Sequence, residues 1–332
     1  MRCLRACPTW SVFSALARSV AVVVAVAATH AFVSLAEAGT VPPPALIYGV
    51  GVDNTIYFVD TADQDLQAVT ASLSTGVKAN GFATDRSGSH LFYFGSNGDL
   101  YYYDIANGDA GTVAPAATFG NNADYPPEDA GFYNGSLWYI GKGDDYNNKL
   151  YQVPISYSGI GDVPSVSGTP VAYQLSASGS TSGMAFGDIA INASSGILYG
   201  STTPGSGGLF FTLDMGTLNP SATNPVNVIS SGNTISLQLA FNEDSTSLYG
   251  QQYLFDPLDP TNPAKTSGAW YTVDTNSGTY NAISGFTTTP GMRDLAGVAA
   301  VPEPGTFLLA TVGFAVALAW NRKPILKAAR TT

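Results

Sequence analysis

Five times along the chain, an Ile or Leu followed by an aromatic residue leads into a glycine: Ile47-Tyr48-Gly49, Leu91-Phe92 with Gly95, Leu137-Trp138 with Gly141, Leu198-Tyr199-Gly200 and Leu248-Tyr249-Gly250. The steps between them are 44, 46, 61 and 50 residues. A second run of like character follows each pair and ends at Asp60, Asp104, Pro154, Asp214 and Asp274. Short runs rich in aromatic and β-branched residues, bounded by Gly, Asn and Asp, read as strands. Asn97-Gly98 and Asn134-Gly135 separate adjacent runs, and both dipeptides favour tight hairpins. Another strand precedes four of the pairs, at 81–85, 129–133, 187–192 and 237–242; before the first pair stands Pro42-Pro43-Pro44 instead. The missing copy appears at the far end, over 293–299.

A small antiparallel sheet cannot bury both faces alone, so repeats of this length exclude water by stacking radially. A last strand that completes the first sheet is what closing such a ring requires. The pattern predicts an all-β, five-bladed β-propeller-like domain over 39–300. Six blades, with one inside the Gly/Ser-rich stretch 142–186, and a β-sandwich remain alternatives. Only 11% of residues are charged, against the usual ~25%, while Gly (36), Tyr (18) and Phe (16) abound. That mix favours strands and turns over helices, and no window between the two ends reads as an amphipathic helix.

Charge excludes one class of partner. Residues 39–304 hold 6 basic and 23 acidic side chains, a net charge of −17, which repels nucleic acid and anionic lipid. Both cysteines, Cys3 and Cys7, lie near the N-terminus, so a domain beginning at 39 has no disulfide, thiolate metal site or cysteine nucleophile.

The two ends read as addresses. Arg2 and Arg5, the apolar run 19–28 and the small-x-small pattern Ala36-Glu37-Ala38 form a secretory signal over 1–38, cut before Gly39 by the Sec and signal peptidase machinery. At the other end, over 301–332, Pro302-Glu303-Pro304 precedes sixteen apolar residues (305–320) and then Arg322-Lys323. As a helix that stretch spans about 24 Å, a little short of the ~30 Å hydrocarbon core, with its cations staying on the cytoplasmic side. This tail resembles the PEP-CTERM sorting signal that the membrane peptidase exosortase reads, on Pro302, Glu303, Pro304, the apolar helix and the pair Arg322, Lys323. The resemblance implies an inner-membrane intermediate, cleavage near 302–304, and delivery to the cell surface or extracellular matrix. It also implies an association with exopolysaccharide and biofilm. The repeats are diffusely similar to the secreted propeller-like domains that precede such tails, a likeness that carries no site residues.

Chemistry is sparse between these ends. His90 is expected at an exposed strand edge, which leaves no partner set for zinc or a serine triad. Glu128 and Glu243 are the acids a glycosidase would use, but no carboxylate pair is marked out; a carbohydrate-active enzyme, or a permanently membrane-anchored surface protein, is the alternative to a sorted, non-enzymatic binding or structural module. No cofactor is expected. Among ions calcium fits best, at the loop Asp144-Asp145 with Asn147 and Asn148, although no twelve-residue calcium loop is present. Asp60, Asp104, Asp214 and Asp274 are expected to cap turns, and Trp138 and Trp270 to pack between strands rather than stack on sugars.

Overall fold

A computed structural model of the chain describes residues 46–297, apart from 62–64, 70–72, 74–78, 86, 120–126, 128, 141–147, 159–162, 178–183, 243, 253–267 and 287–290. The signal segment 1–38 and the tail 301–332, with its apolar stretch 305–320, lie outside the described residues. Among the described residues no helix is long and apolar enough to cross a membrane. The helical elements among them are three 3-10 turns, Ala116–Phe119, Pro204–Ser206 and Met215–Thr217.

The strands form five sheets, one per repeat. Blade 1 joins both ends of the domain: Met292–Gly297 pairs antiparallel with Leu46–Gly51, followed by Ile56–Asp60 and Asp65–Ala68. Blade 2 runs Ala79–Thr84, His90–Gly95, Leu100–Asp104 and Asp109–Ala114. In blade 3 the order is Asp129–Tyr133, Ser136–Ile140, Lys149–Ser158 and Val171–Ser176, with Thr223–Pro225 added parallel at the outer edge. Blade 4 holds Phe186–Asn192, Ile197–Thr202, Phe210–Asp214 and Asn227–Ser230, and blade 5 holds Leu237–Phe241, Leu248–Gln252, Trp270–Val273 and Tyr280–Ile283. Five blades are therefore present. Among the described residues the long third repeat adds no sixth sheet; Lys149–Ser158 outruns its sheet and pairs its far half with Val163–Val166 as an extra hairpin.

The first strand of each blade lies beside that of the next. Met292–Gly297 neighbours Ala79–Thr84, then come Asp129–Tyr133, Phe186–Asn192 and Leu237–Phe241, which returns to Met292–Gly297. The ring is closed, and a strand from the end of the domain closes it.

Strand alternation explains the packing. In His90–Gly95, Leu91 and Tyr93 point into the interface with blade 1, and Phe92 and Phe94 into the one with blade 3. Both faces are thus buried, and the core divides into five clusters, one per blade interface. Trp138 and Trp270 are buried in two of them, as expected. The recurrent glycine also has a packing reason: a Cβ at Gly200 would lie 2.3 Å from Phe211 Cζ, and one at Gly49 2.9 Å from Met292 Sδ.

Candidate functional site

Around the axis, the inner strands share a local pattern. Asp294-Leu295-Ala296, Gly81-Phe82-Ala83, Asp129-Ala130-Gly131, Asp188-Ile189-Ala190 and Gln238-Leu239-Ala240 place a polar residue or glycine, then an apolar one, then Ala or Gly. The third position is small in every blade. The first position gathers three aspartates. Carboxylate oxygens of Asp129, Asp188 and Asp294 all lie within 4.8 Å of one another, on residues 2%, 0% and 0% exposed.

Two of these carboxylates fasten blade to blade. Asp188 accepts from the N–H of Ile189 (2.6 Å) in its own strand and from Leu239 N–H in blade 5. Asp294 accepts from Leu295 N–H (2.7 Å) and, across into blade 2, from the N–H groups of Phe82 and Gly81. Gly81 has φ +61, a left-handed turn that aims successive N–H groups at one carboxylate. The Gln238 carboxamide, oriented to donate, reaches Arg293 O at 2.9 Å and Asp188 Oδ2 at 3.3 Å. Innermost strands stand at the edge of their sheets with backbone groups turned to the axis, and the aspartates satisfy part of that edge.

Burial holds the Asp188 carboxyl well above the usual carboxylate range, and the neighbouring Asp129 and Asp294 push it the same way. Burial also raises Asp294, outweighing three backbone donors. Asp188 and Asp294 are therefore inclined to hold protons at a pH where exposed aspartates have lost theirs. As an all-oxygen donor set it suits a hard cation, but Asp188 and Asp294 already direct their oxygens at backbone N–H groups.

Directly above the carboxylates, toward the C-terminal ends of the inner strands, a cavity of about 280 Å³ opens on the axis. Every blade contributes to its wall. Ala130, Ile189, Leu239 and Leu295 lie at the level just past the aspartates, and Asn134, Ala193, Asn242 and Ser245 stand at the mouth. Among the described residues no Asp, Glu, Lys, Arg or His lines it.

Of the residues singled out from sequence, Pro302, Glu303, Pro304, Arg322, Lys323, Ala36 and Ala38 lie outside the described residues, as do Glu128, Glu243, Asp144, Asp145 and Asn147. Asn148 is buried, and its side-chain oxygen accepts from Met184 N–H at 3.0 Å. Asp104, Asp214 and Asp274 cap turns as expected, accepting from the N–H of Ala106 (2.9 Å), Gly216 (2.8 Å) and Asn276 (2.9 Å); Asp60 stands opposite Asp65 in a ladder. His90 is not at an exposed edge. It is 3% exposed, because both faces of its strand are covered, and its Nδ1 lies 3.0 Å from Asp85 Oδ2. The hydroxyl of Tyr157, carried over blade 2 by the extra hairpin, donates to the same Asp85 oxygen at 3.0 Å. Sequence reasoning also missed the axial aspartates, whose signal was the recurring triplet rather than any local acidic cluster.

Residues 300–323 match the PEP-CTERM protein-sorting motif. No curated protein matches the chain. Among solved structures it is similar to the calcium-binding protein regucalcin from Agrobacterium tumefaciens, at 13% identity over 77% of this chain and 75% of that one, with a TM-score of 0.39. It is also similar to a chain of the mitotic checkpoint complex (12% identity, 72% and 65% covered, TM-score 0.37). A third is the β-propeller domain of Cps50 (Swd1) from Myceliophteria thermophila (12% identity, 72% and 71% covered, TM-score 0.38).

Proposed function

Because the chain carries a PEP-CTERM sorting motif at residues 300–323, and so is exported and processed by exosortase, we propose that it is a surface or extracellular-matrix protein whose propeller binds or scaffolds exopolysaccharide without catalysing a reaction. The observation that carries this reading is the order of the tail: Pro302-Glu303-Pro304, an apolar stretch over 305–320, then Arg322-Lys323. The apolar stretch holds the exported protein at the inner membrane until cleavage near 302–304 frees the propeller for the surface. A net charge of −17 over 39–304 keeps the released domain soluble.

The non-catalytic part of the reading is supported by where the acids sit. A glycosidase needs a protonated acid and an ionised partner within reach of the scissile oxygen. The tightest carboxylate group among the described residues is buried beneath the cavity, and two of its members, Asp188 and Asp294, direct oxygens at backbone N–H groups.

Mass spectrometry of the mature C-terminus tests the sorting step. The native protein is expected to end near 302–304 and to lack Arg322 and Lys323, and Glu303→Ala is expected to accumulate uncut in the membrane fraction. Recovery of mature surface protein that still holds Arg322 and Lys323 would overturn the proposal.

A further inference from the structure

The axial cavity is used by neither sorting nor blade packing. We infer that it takes one neutral sugar unit end-on, as a free monosaccharide or as the terminal residue of a polysaccharide. This deepens the exopolysaccharide reading and rests on it for the origin of the sugar.

Size sets the first bound. A cavity of about 280 Å³ has room for at least one pyranose ring with its hydroxyls. Charge sets the second. Among the described residues no charged side chain stands in the wall, so an ionic ligand would find no counter-charge from them. The carboxylates underneath offer a cation little, because burial keeps Asp188 and Asp294 inclined to hold protons.

Wall chemistry separates a sugar from a purely apolar guest. Five strand edges face the axis, each carrying a row of backbone N–H and C=O groups on the side away from its sheet. Between them lie apolar surfaces from residues such as Ile191, Phe241 and Ala296. A hydrocarbon filling the cavity would strip water from those backbone groups and give nothing back. A sugar ring presents C–H faces and hydroxyls together, which suits such a wall, and Asn134 stands at the mouth to meet its outward edge. Asp129, Asp188 and Asp294 fill the axis beneath, so the site is a dead end that admits a chain terminus and not the middle of a polymer.

The test uses the full-length protein in detergent, titrated calorimetrically with the methyl glycosides of glucose, galactose, mannose and N-acetylglucosamine, with glucuronate as the charged control. The native exopolysaccharide forms a separate arm. At least one glycoside is expected to saturate with a millimolar Kd, about −4 kcal/mol, and glucuronate to bind at least tenfold more weakly. Ala193→Trp is the blocking variant: Ala193 is exposed at the mouth, so the indole covers the opening without entering the core. It is expected to lose at least tenfold in affinity with an unchanged melting temperature. Saturation by none of the glycosides, or equal binding by wild type and Ala193→Trp, would overturn the inference. If cells making Ala193→Trp retain their exopolysaccharide as the wild type does, the cavity inference fails while the matrix reading stands. If the glycosides bind but deleting the protein leaves the matrix unaltered, the matrix reading fails and the cavity stands.

Discussion

Asp188 and Asp294 do for the propeller axis what a ladder partner does elsewhere in a sheet: each accepts an N–H from its own strand and at least one from the next blade. The arrangement has a pH signature. Burial raises both carboxyls above the ~3.9 of an unfolded aspartate, so over the interval between that value and the raised ones the folded state binds more protons than the unfolded chain. Stability from these groups is fully present below the unfolded value and is lost as pH rises through the folded one. Relative to Asp294→Asn, which stays neutral and keeps an acceptor oxygen, the wild type is expected to gain melting temperature as pH falls from 8 toward 5. The gain is about 2–4 °C for each kcal/mol. A difference between the two proteins that stays flat with pH, or that reverses, would mean that Asp294 is ionised in the fold. Little of this site was legible beforehand. The three aspartates lie far apart in sequence, none belongs to a metal-ligand spacing, and only ring closure brings residue 294 beside residues 129 and 188. His90 misled for a related reason: a turn-proximal histidine reads as exposed until the hairpin at 149–166 is seen to deliver Tyr157 to Asp85.

Single strands and turns were far more readable, because their determinants are local. Asn134-Gly135 forms a two-residue hairpin with both residues at positive φ (49 and 74), the primed turn that this dipeptide favours. Asn97-Gly98 is also a hairpin, but with left-handed Gly98 (φ 81) closing a longer loop onto Gly95. What the repeat did not reveal is why its glycines recur. Gly200 sits under the Phe211 ring, whereas Gly135 has open space around it and needs only its backbone angle. The two substitutions should therefore behave differently. Gly200→Ala is expected to cost about 1–3 kcal/mol by overpacking, and Gly135→Ala about 1 kcal/mol from the left-handed conformation alone. Chemical denaturation in a Phe211→Leu background separates the causes. The cost of Gly200→Ala should shrink there, because the ring edge it meets is gone, while that of Gly135→Ala should not move. An unchanged Gly200→Ala cost in both backgrounds would rule out the steric account.

At the scale of the whole molecule, stability has no single centre. Five interblade clusters each depend on two neighbours, so an open ring would expose two apolar faces. The strand that prevents this is short: Met292–Gly297 pairs with Leu46–Gly51 and also lies against Ala79–Thr84 and Leu237–Phe241. It brings Met292 and Leu295 into the interface between blades 5 and 1, Ala296 into that between blades 1 and 2, and Asp294 to the axis. It is also the last described strand before the sorting motif at 300–323, so the cleavage proposed near 302–304 would spare the ring with only a few residues to spare. A cut upstream of Met292 is expected to behave quite differently. A chain ending at residue 290 should lose its sharp thermal transition or melt at least 10 °C lower, since burial of Met292 and Leu295 alone contributes roughly 3–6 kcal/mol. A synthetic peptide covering residues 289–300, added in excess, should restore the transition by mass action, adding about 2.7 kcal/mol at a hundred times its Kd. The same peptide carrying Asp294→Leu, which keeps apolar bulk but offers Phe82 and Leu295 N–H no acceptor, should rescue markedly less. If the truncated chain melts like the full one, the ring is held by contacts other than those of Met292–Gly297 and the closing strand is dispensable.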